Sequence, residues 1–201
     1  MVAIIDYDAG NIKSVQKAIE LLGGDVVVTR DKDVLLSADK VILPGVGAFG
    51  DAMEKLRSYD LEDVIKEIVK RGTPFLGICL GLQLLFEESE ESPGVKGLGI
   101  LPGRIVRFSK EHGLKIPHIG WNSLQYPSKG TLYQGIAENS YVYFVHSYYL
   151  QAKDRSIVKA TTEYGDVADA SVEKGNVYAC QFHPEKSSDV GLHILKNFLA
   201  L

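Results

Sequence analysis

Two hydrophobic patterns alternate along the first half of the chain. Val2 to Asp6, Val26 to Thr29, Val41 to Leu43 and Phe75 to Ile78 are short, nearly continuous apolar runs, the mark of strands buried on both faces. Between them the apolar positions recur every three or four residues. Asn11 to Leu22 carries Ile12, Val15, Ile19 and Leu22 on one helical face, and a second helix carries Leu61, Val64, Ile65, Ile68 and Val69. Gly23-Gly24 stops the first helix; Gly72, with Pro74 just beyond, stops the second. The strand from Phe75 then turns at Cys79 into the segment Leu80 to Glu87. Such alternation predicts an α/β fold with a mostly parallel central sheet flanked by helices on both faces.

The second half reads differently. Arg104 to Phe108, Tyr141 to Leu150, Ser156 to Thr161 and Val177 to Phe182 are strand-like runs separated by turn residues, and a helix closes the chain near Val190 to Leu199. Antiparallel additions to the parallel core are expected there. No repeat, low-complexity tract or linker interrupts the 201 residues, so a single domain over 1–201 is expected. With 45% hydrophobic and 24% charged residues, the composition is that of a globular chain that builds its core without disulfides or metals. A net charge of −4 argues against nucleic acid as a partner. No apolar run approaches the roughly 20 residues that span a bilayer. Nor does a basic stretch precede the short run at Val2. A cytoplasmic location is therefore expected, where the two cysteines, Cys79 and Cys180, would be catalytic or buried rather than bridged.

Gly77-Ile78-Cys79-Leu80-Gly81 lies at a strand-to-helix corner and has the spacing of the nucleophile elbow G-x-S-x-G, with sulfur in place of oxygen. A sharp corner strains its central residue and crowds both flanks, so the positions two away on either side are reduced to glycine. A helix N-terminus and a nearby imidazolium both favour a thiolate. Cys180 has no such setting and is expected in the core.

A nucleophilic sulfur needs an imidazole to manage its proton. Of His112, His118, His146, His183 and His193, the one within Gln181-Phe182-His183-Pro184-Glu185 has the most informative surroundings. His183 ends a strand, Pro184 sets the path beyond it, and Glu185 would share its side in an extended segment and orient the ring. His118 and His146 are expected to be structural or interfacial, and no histidine spacing suggests a metal site. Gly45-Val46-Gly47-Ala48-Phe49-Gly50 matches G-x-G-x-x-G after a strand and before a helix. As a dinucleotide fingerprint it lacks an acid at the end of the next strand. Its better use is to bring backbone N–H groups close to a substrate. Val46 and Gly47, with Leu80, would then form an oxyanion hole.

In combination, Pro44-Gly45-Val46-Gly47, Gly77-Ile78-Cys79-Leu80-Gly81 and His183-Pro184-Glu185 resemble the class I (triad) glutamine amidotransferases, over essentially the whole chain. The resemblance implies a flavodoxin-like glutaminase fold, a Cys79, His183, Glu185 triad and no cofactor. It implies hydrolysis of L-glutamine to glutamate and ammonia through a cysteinyl thioester. Asp6-Tyr7-Asp8-Ala9-Gly10-Asn11, Pro117-His118-Ile119-Gly120-Trp121-Asn122, Tyr143 to Tyr148 and His183 to Ser187 are similar to the glutaminase subunits of imidazole glycerol phosphate synthases, enzymes of histidine biosynthesis. There the partner is a (β/α)₈-barrel cyclase that uses the ammonia. By that resemblance Gln83, Glu91, Ser147 and Tyr148 would hold glutamine, while Asn11, Trp121, Asn122, Tyr143 and Lys186 would face the partner. On composition alone, Glu87 to Glu91 reads instead as a solvated acidic run, and a lone Trp as core. A glutaminase subunit serving pyridoxal phosphate or anthranilate synthesis, a stand-alone cysteine hydrolase and a non-enzymatic regulatory subunit remain as alternatives.

Overall fold

A computed structural model describes all of residues 1–201. The first half runs β1 (Val2–Ile5), α1 (Ile12–Leu21), β2 (Val26–Thr29), α2 (Lys32–Ser37), β3 (Lys40–Gly45), α3 (Phe49–Ser58), α4 (Leu61–Lys70), β4 (Phe75–Cys79) and α5 (Leu80–Leu84). The second continues with β5 (Glu88–Ser89), β6 (Gly103–Arg107), β7 (His118–Ser123), β8 (Tyr141–His146), β9 (Tyr148–Ala152), β10 (Val158–Tyr164), β11 (Asp166–Lys174), β12 (Val177–Cys180) and α6 (Ser188–Leu199). The main sheet is ordered β2-β1-β3-β4-β12-β11-β9-β6-β5, with β10 paired to β11. From β2 to β12 the strands are parallel; β11, β9 and β6 join antiparallel. β7 and β8 form a separate two-stranded antiparallel sheet. No helix is long and apolar enough to cross a membrane.

Period-two alternation divides the strand residues between two cores. Ala3, Ile5, Val41 and Leu43 face α2 to α5 with Leu35, Phe49, Leu56 and Ile65. Val2, Ile4 and Ile42 face α1 and α6 with Val15, Ile19, Leu195 and Phe198. Burying each large apolar side chain contributes roughly 1.5–3 kcal/mol. The sheet is thereby held from both faces, and the carboxyl ends of its parallel strands, β2 to β12 in sheet order, lie together at one edge.

The structure corrects the elements expected from sequence in several places. The run from Tyr141 to Leu150 is two strands, broken at Ser147 and belonging to different sheets. The Pro117 to Asn122 loop contains β7, and β11 was not anticipated. Pro44 and Gly45 belong to β3 rather than to a loop. Ahead of α4 stands a separate α3, the two divided at Asp60, whose φ of 51° is left-handed.

Candidate active site

Cys79 closes β4 with φ 56° and ψ −110°, a strained conformation for a residue with a side chain. Its flanks show why they are glycines. A Cβ on Gly81 would sit 1.9 Å from the Leu43 carbonyl oxygen, and one on Gly77 would sit 2.8 Å from the Gly81 oxygen. Backbone meets backbone at both points, so no side-chain motion could make room. The following α5 has five residues. Any help it gives a sulfur anion comes from its free first-turn amides rather than from a long helix dipole.

β12 is the parallel neighbour of β4, pairing Cys180 with Ile78, and it carries the chain onward to His183 beside Cys79. His183 is 1% exposed. Its Nδ1 lies 2.8 Å from Glu185 Oε1, and that carboxylate is itself fully buried. Glu185 reaches the ring through a 3₁₀ turn, Pro184–Lys186, rather than along the extended segment expected from sequence. Its Oε1 accepts a second bond from Asn11 Nδ2 at 3.3 Å. Burial is the largest single influence on His183 and lowers its pKa; hydrogen bonding and charge from Cys79 and Glu185 outweigh it and raise the pKa to about 9. His183 Nε2 makes no hydrogen bond of good geometry. It remains free to exchange a proton with sulfur or substrate. The Cys79 sulfur accepts from Gln181 Nε2 at 3.6 Å.

A cleft of about 340 Å³ opens over these groups. Cys79, His183, Val46, Gly47, Leu80, Gln83, Glu91, Ser147 and Tyr148 all line it, so residues far apart in sequence converge on one space. Gly47 has φ +102°, within the left-handed region that glycine tolerates. Pro117, Val145 and His146 also line the cleft. Sequence reasoning did not place them there, because nothing local to them signals chemistry. The acidic run is not simply solvated. Glu91 Oε2 accepts from the Phe49 amide at 2.9 Å, Glu87 Oε2 from Gly103 and Glu90 Oε2 from Arg107. Each of these three carboxylates holds a backbone amide of another segment.

Among the residues expected to face a partner, Trp121 is 52% exposed and stands edge-on to Tyr143, their rings 6.2 Å apart. Lys186 is exposed as well. Asn122 and Asn11, both half-buried, are bonded within the chain. Asn122 turns inward, its Nδ2 donating to the Glu163 carbonyl at 2.8 Å, and Asn11 points its amide at Glu185. No group of three His, Cys, Asp or Glu side chains is placed to hold a metal ion.

A nucleophile elbow at the carboxyl edge of a doubly wound sheet, with an imidazole and carboxylate brought in by the next parallel strand, defines an amidotransferase-type hydrolase. The chain belongs to the glutamine amidotransferase class-I family, whose model matches residues 3–201. It is 51% identical to imidazole glycerol phosphate synthase subunit HisH of Methanocaldococcus jannaschii, over 100% of both chains. It is 52% identical to subunit HisH of Bacillus cereus, over 98% of this chain and 93% of that one. A solved structure described as a glutamine amidotransferase superposes with a TM-score of 0.76 at 24% identity, covering 98% of this chain and 99% of the other.

Proposed function

We propose that this chain is the glutaminase subunit of an imidazole glycerol phosphate synthase, acting in the cytoplasm as one domain over 1–201. It releases ammonia from L-glutamine for a (β/α)₈-barrel cyclase. The meeting of Cys79 and His183 in one cleft, with Glu185 bonded to the far nitrogen of the ring, carries the chemistry, and full-length identity near 50% to HisH subunits supports the assignment.

The Cys79 thiolate attacks glutamine's amide carbon, and the backbone N–H groups of Leu80 and the Val46-Gly47 stretch hold the resulting oxyanion. Removing such a donor typically costs about 3–4 kcal/mol of transition-state stabilisation. Protonated His183 donates to the departing nitrogen as the C–N bond breaks, leaving a γ-glutamyl thioester and neutral imidazole. The imidazole then takes a proton from water, whose oxygen displaces sulfur to give glutamate. Gln83 spends both amide protons inside the protein, on the Tyr148 carbonyl and on Gln181 Oε1. Its carbonyl oxygen is left to accept from glutamine's α-ammonium group.

Cys79→Ala provides the test. The variant, bound to the cyclase, should lose glutamine-dependent synthesis and keep synthesis driven by added ammonium salts. Glutamine-dependent turnover at the parent rate would sink the assignment.

A further inference from the structure

Two histidines that the triad does not use stand opposite one another, as the His118 and His146 pair of β7 and β8. They are 3% and 6% exposed and packed among the rings of Phe108, Phe144 and Tyr164. Buried imidazole nitrogens need partners, and here the partners impose a direction. Asn122 fixes one end. Its Oδ1 accepts from the Ser123 amide and its Nδ2 donates to the Glu163 carbonyl, each at 2.8 Å. The group it turns to His118 Nε2, 3.4 Å away, is therefore a donor. Tyr148 fixes the other end, because a carbonyl oxygen can only accept, and His146 Nδ1 lies 2.9 Å from it. One arrangement satisfies the 3.1 Å contact between the rings: His118 Nδ1 donates to His146 Nε2. Both rings then carry their single proton on Nδ1.

The line of bonds continues past Tyr148. Gln83 Nε2 donates to the same carbonyl at 3.1 Å and to Gln181 Oε1 at 2.9 Å. Gln181 Nε2 donates in turn to the Cys79 sulfur at 3.6 Å. The opposite face of the β7–β8 pair carries the exposed Ile119 and Trp121. One hydrogen-bonded line thus runs from behind an exposed apolar surface to the nucleophile, through residues that line the cleft.

We propose that His118 and His146 are positioning residues that tie the inner face of the β7–β8 pair to the glutamine pocket, so that docking on its outer face sets the pose of Gln83, Gln181 and Cys79. This rests on the glutaminase reading above and deepens it. The rings act through the Tyr148 carbonyl. If the strand pair shifts, the carbonyl moves with it, and the two glutamine amides bonded in series follow.

The test compares His118→Asn, whose amide nitrogen stands in for Nδ1 and keeps the donor, with His118→Phe. The latter keeps the ring stack on Phe144 and Tyr164 but removes both nitrogens. Each variant is assayed for glutamine hydrolysis with the cyclase bound. His118→Phe should lower kcat/KM about tenfold, the worth of one net hydrogen bond, while His118→Asn stays within about twofold. Equal losses in both variants, or none in His118→Phe, would overturn the relay. Hydrolysis that survives Cys79→Ala would instead overturn the glutaminase reading, so the two failures are distinguishable. Should His118→Phe misfold, long-range nitrogen–proton correlation NMR on the unaltered complex decides. A proton on Nδ1 of both rings supports the relay, and a proton on Nε2 of either ring overturns it.

Discussion

Glu185 Oε1 receives two hydrogen bonds, from His183 and Asn11, in a position where its side chain meets no water. A buried carboxylate so placed favours the imidazolium beside it, which is one reason that His183 holds a proton up to about pH 9 despite its burial. Glu185→Gln preserves shape and removes the charge. The His183 pKa should then fall, and the alkaline limb of the kcat/KM profile should move to lower pH. Losing the orienting carboxylate of a triad costs on the order of 10⁴ in kcat, and a drop of about 10²–10⁴ is expected here. A kcat within twofold of the parent would remove Glu185 from the machinery. Asn11 contributes one long bond from an uncharged donor to the same carboxylate oxygen, so Asn11→Ala should cost about tenfold or less.

At the scale of elements, the close approach of α5 to β3 is what aims the sulfur. Gly81→Ala would drive a Cβ into the Leu43 carbonyl, and since strand and helix must part to admit it, a loss of about 1–3 kcal/mol is expected. Urea denaturation would read that loss, and glutaminase activity should fall with it. Gly175→Asn is the control: its φ of +60° suits Asn, and a Cβ there meets nothing within 4 Å. This corner was legible in the sequence because glycines two residues either side of a cysteine, between an apolar strand and a helix, suit a tight turn and little else. The parallel strands were legible too, since burial on both faces makes them apolar throughout. The break at Ser147 was not. Tyr141 to Leu150 is aromatic or β-branched at most positions and holds no glycine or proline, so nothing in the run marks the point at which the chain changes sheets. β11 was hidden for another reason. Its buried face includes Asp169, which accepts from the Ala152 amide at 2.9 Å and from Arg155, and Ser171, which bonds the Ala179 carbonyl at 2.7 Å. Polar residues satisfied only by distant partners look like loop when those partners are unknown. Composition hides the bonds of Glu91 and Asn11 on the same ground, for each spends a polar group on a segment remote in sequence.

For the whole molecule, three histidines shape stability in opposite directions with pH. Burial lowers His146 to about 3 and His118 to about 4; for His146 the nearby His118 and His183 charges add to the effect, against the Tyr148 carbonyl. Their folded values lie below the ordinary 6.5, so the unfolded chain binds protons first. Their contribution is complete above about pH 6.5 and is lost as pH falls toward 4 and then 3. A single such group has a limiting slope of about 1.4 kcal/mol per pH unit. His183 works the other way. Its folded value is raised, so its contribution is complete below about pH 6.5 and is lost as pH rises through about 9. Urea midpoints across pH should therefore fall on both sides of neutrality, and His146→Phe should flatten the acid side alone.

The same strand pair offers a surface on its other side. Ile119, Trp121 and Tyr141 are 59%, 52% and 58% exposed on one face, and Val46, at 43%, lies at the mouth of the cleft. Apolar surface left open beside a site that releases ammonia suits a partner that must receive it before water does. Leu21 is more exposed still, at 73%, but it lies in the last turn of α1. That helix begins at the cleft end of β1 and runs back along the sheet, so Leu21 sits at the opposite end of the molecule. Exposure alone predicts that Leu21 matters more to partner binding; position predicts that Trp121 does. We expect Trp121→Ala to weaken cyclase binding by at least about tenfold, the scale of an aromatic hot spot, and Leu21→Ala to leave it unchanged. Calorimetric titration of each variant with the cyclase separates the two, and equal affinities would move the docking surface off the β7–β8 face.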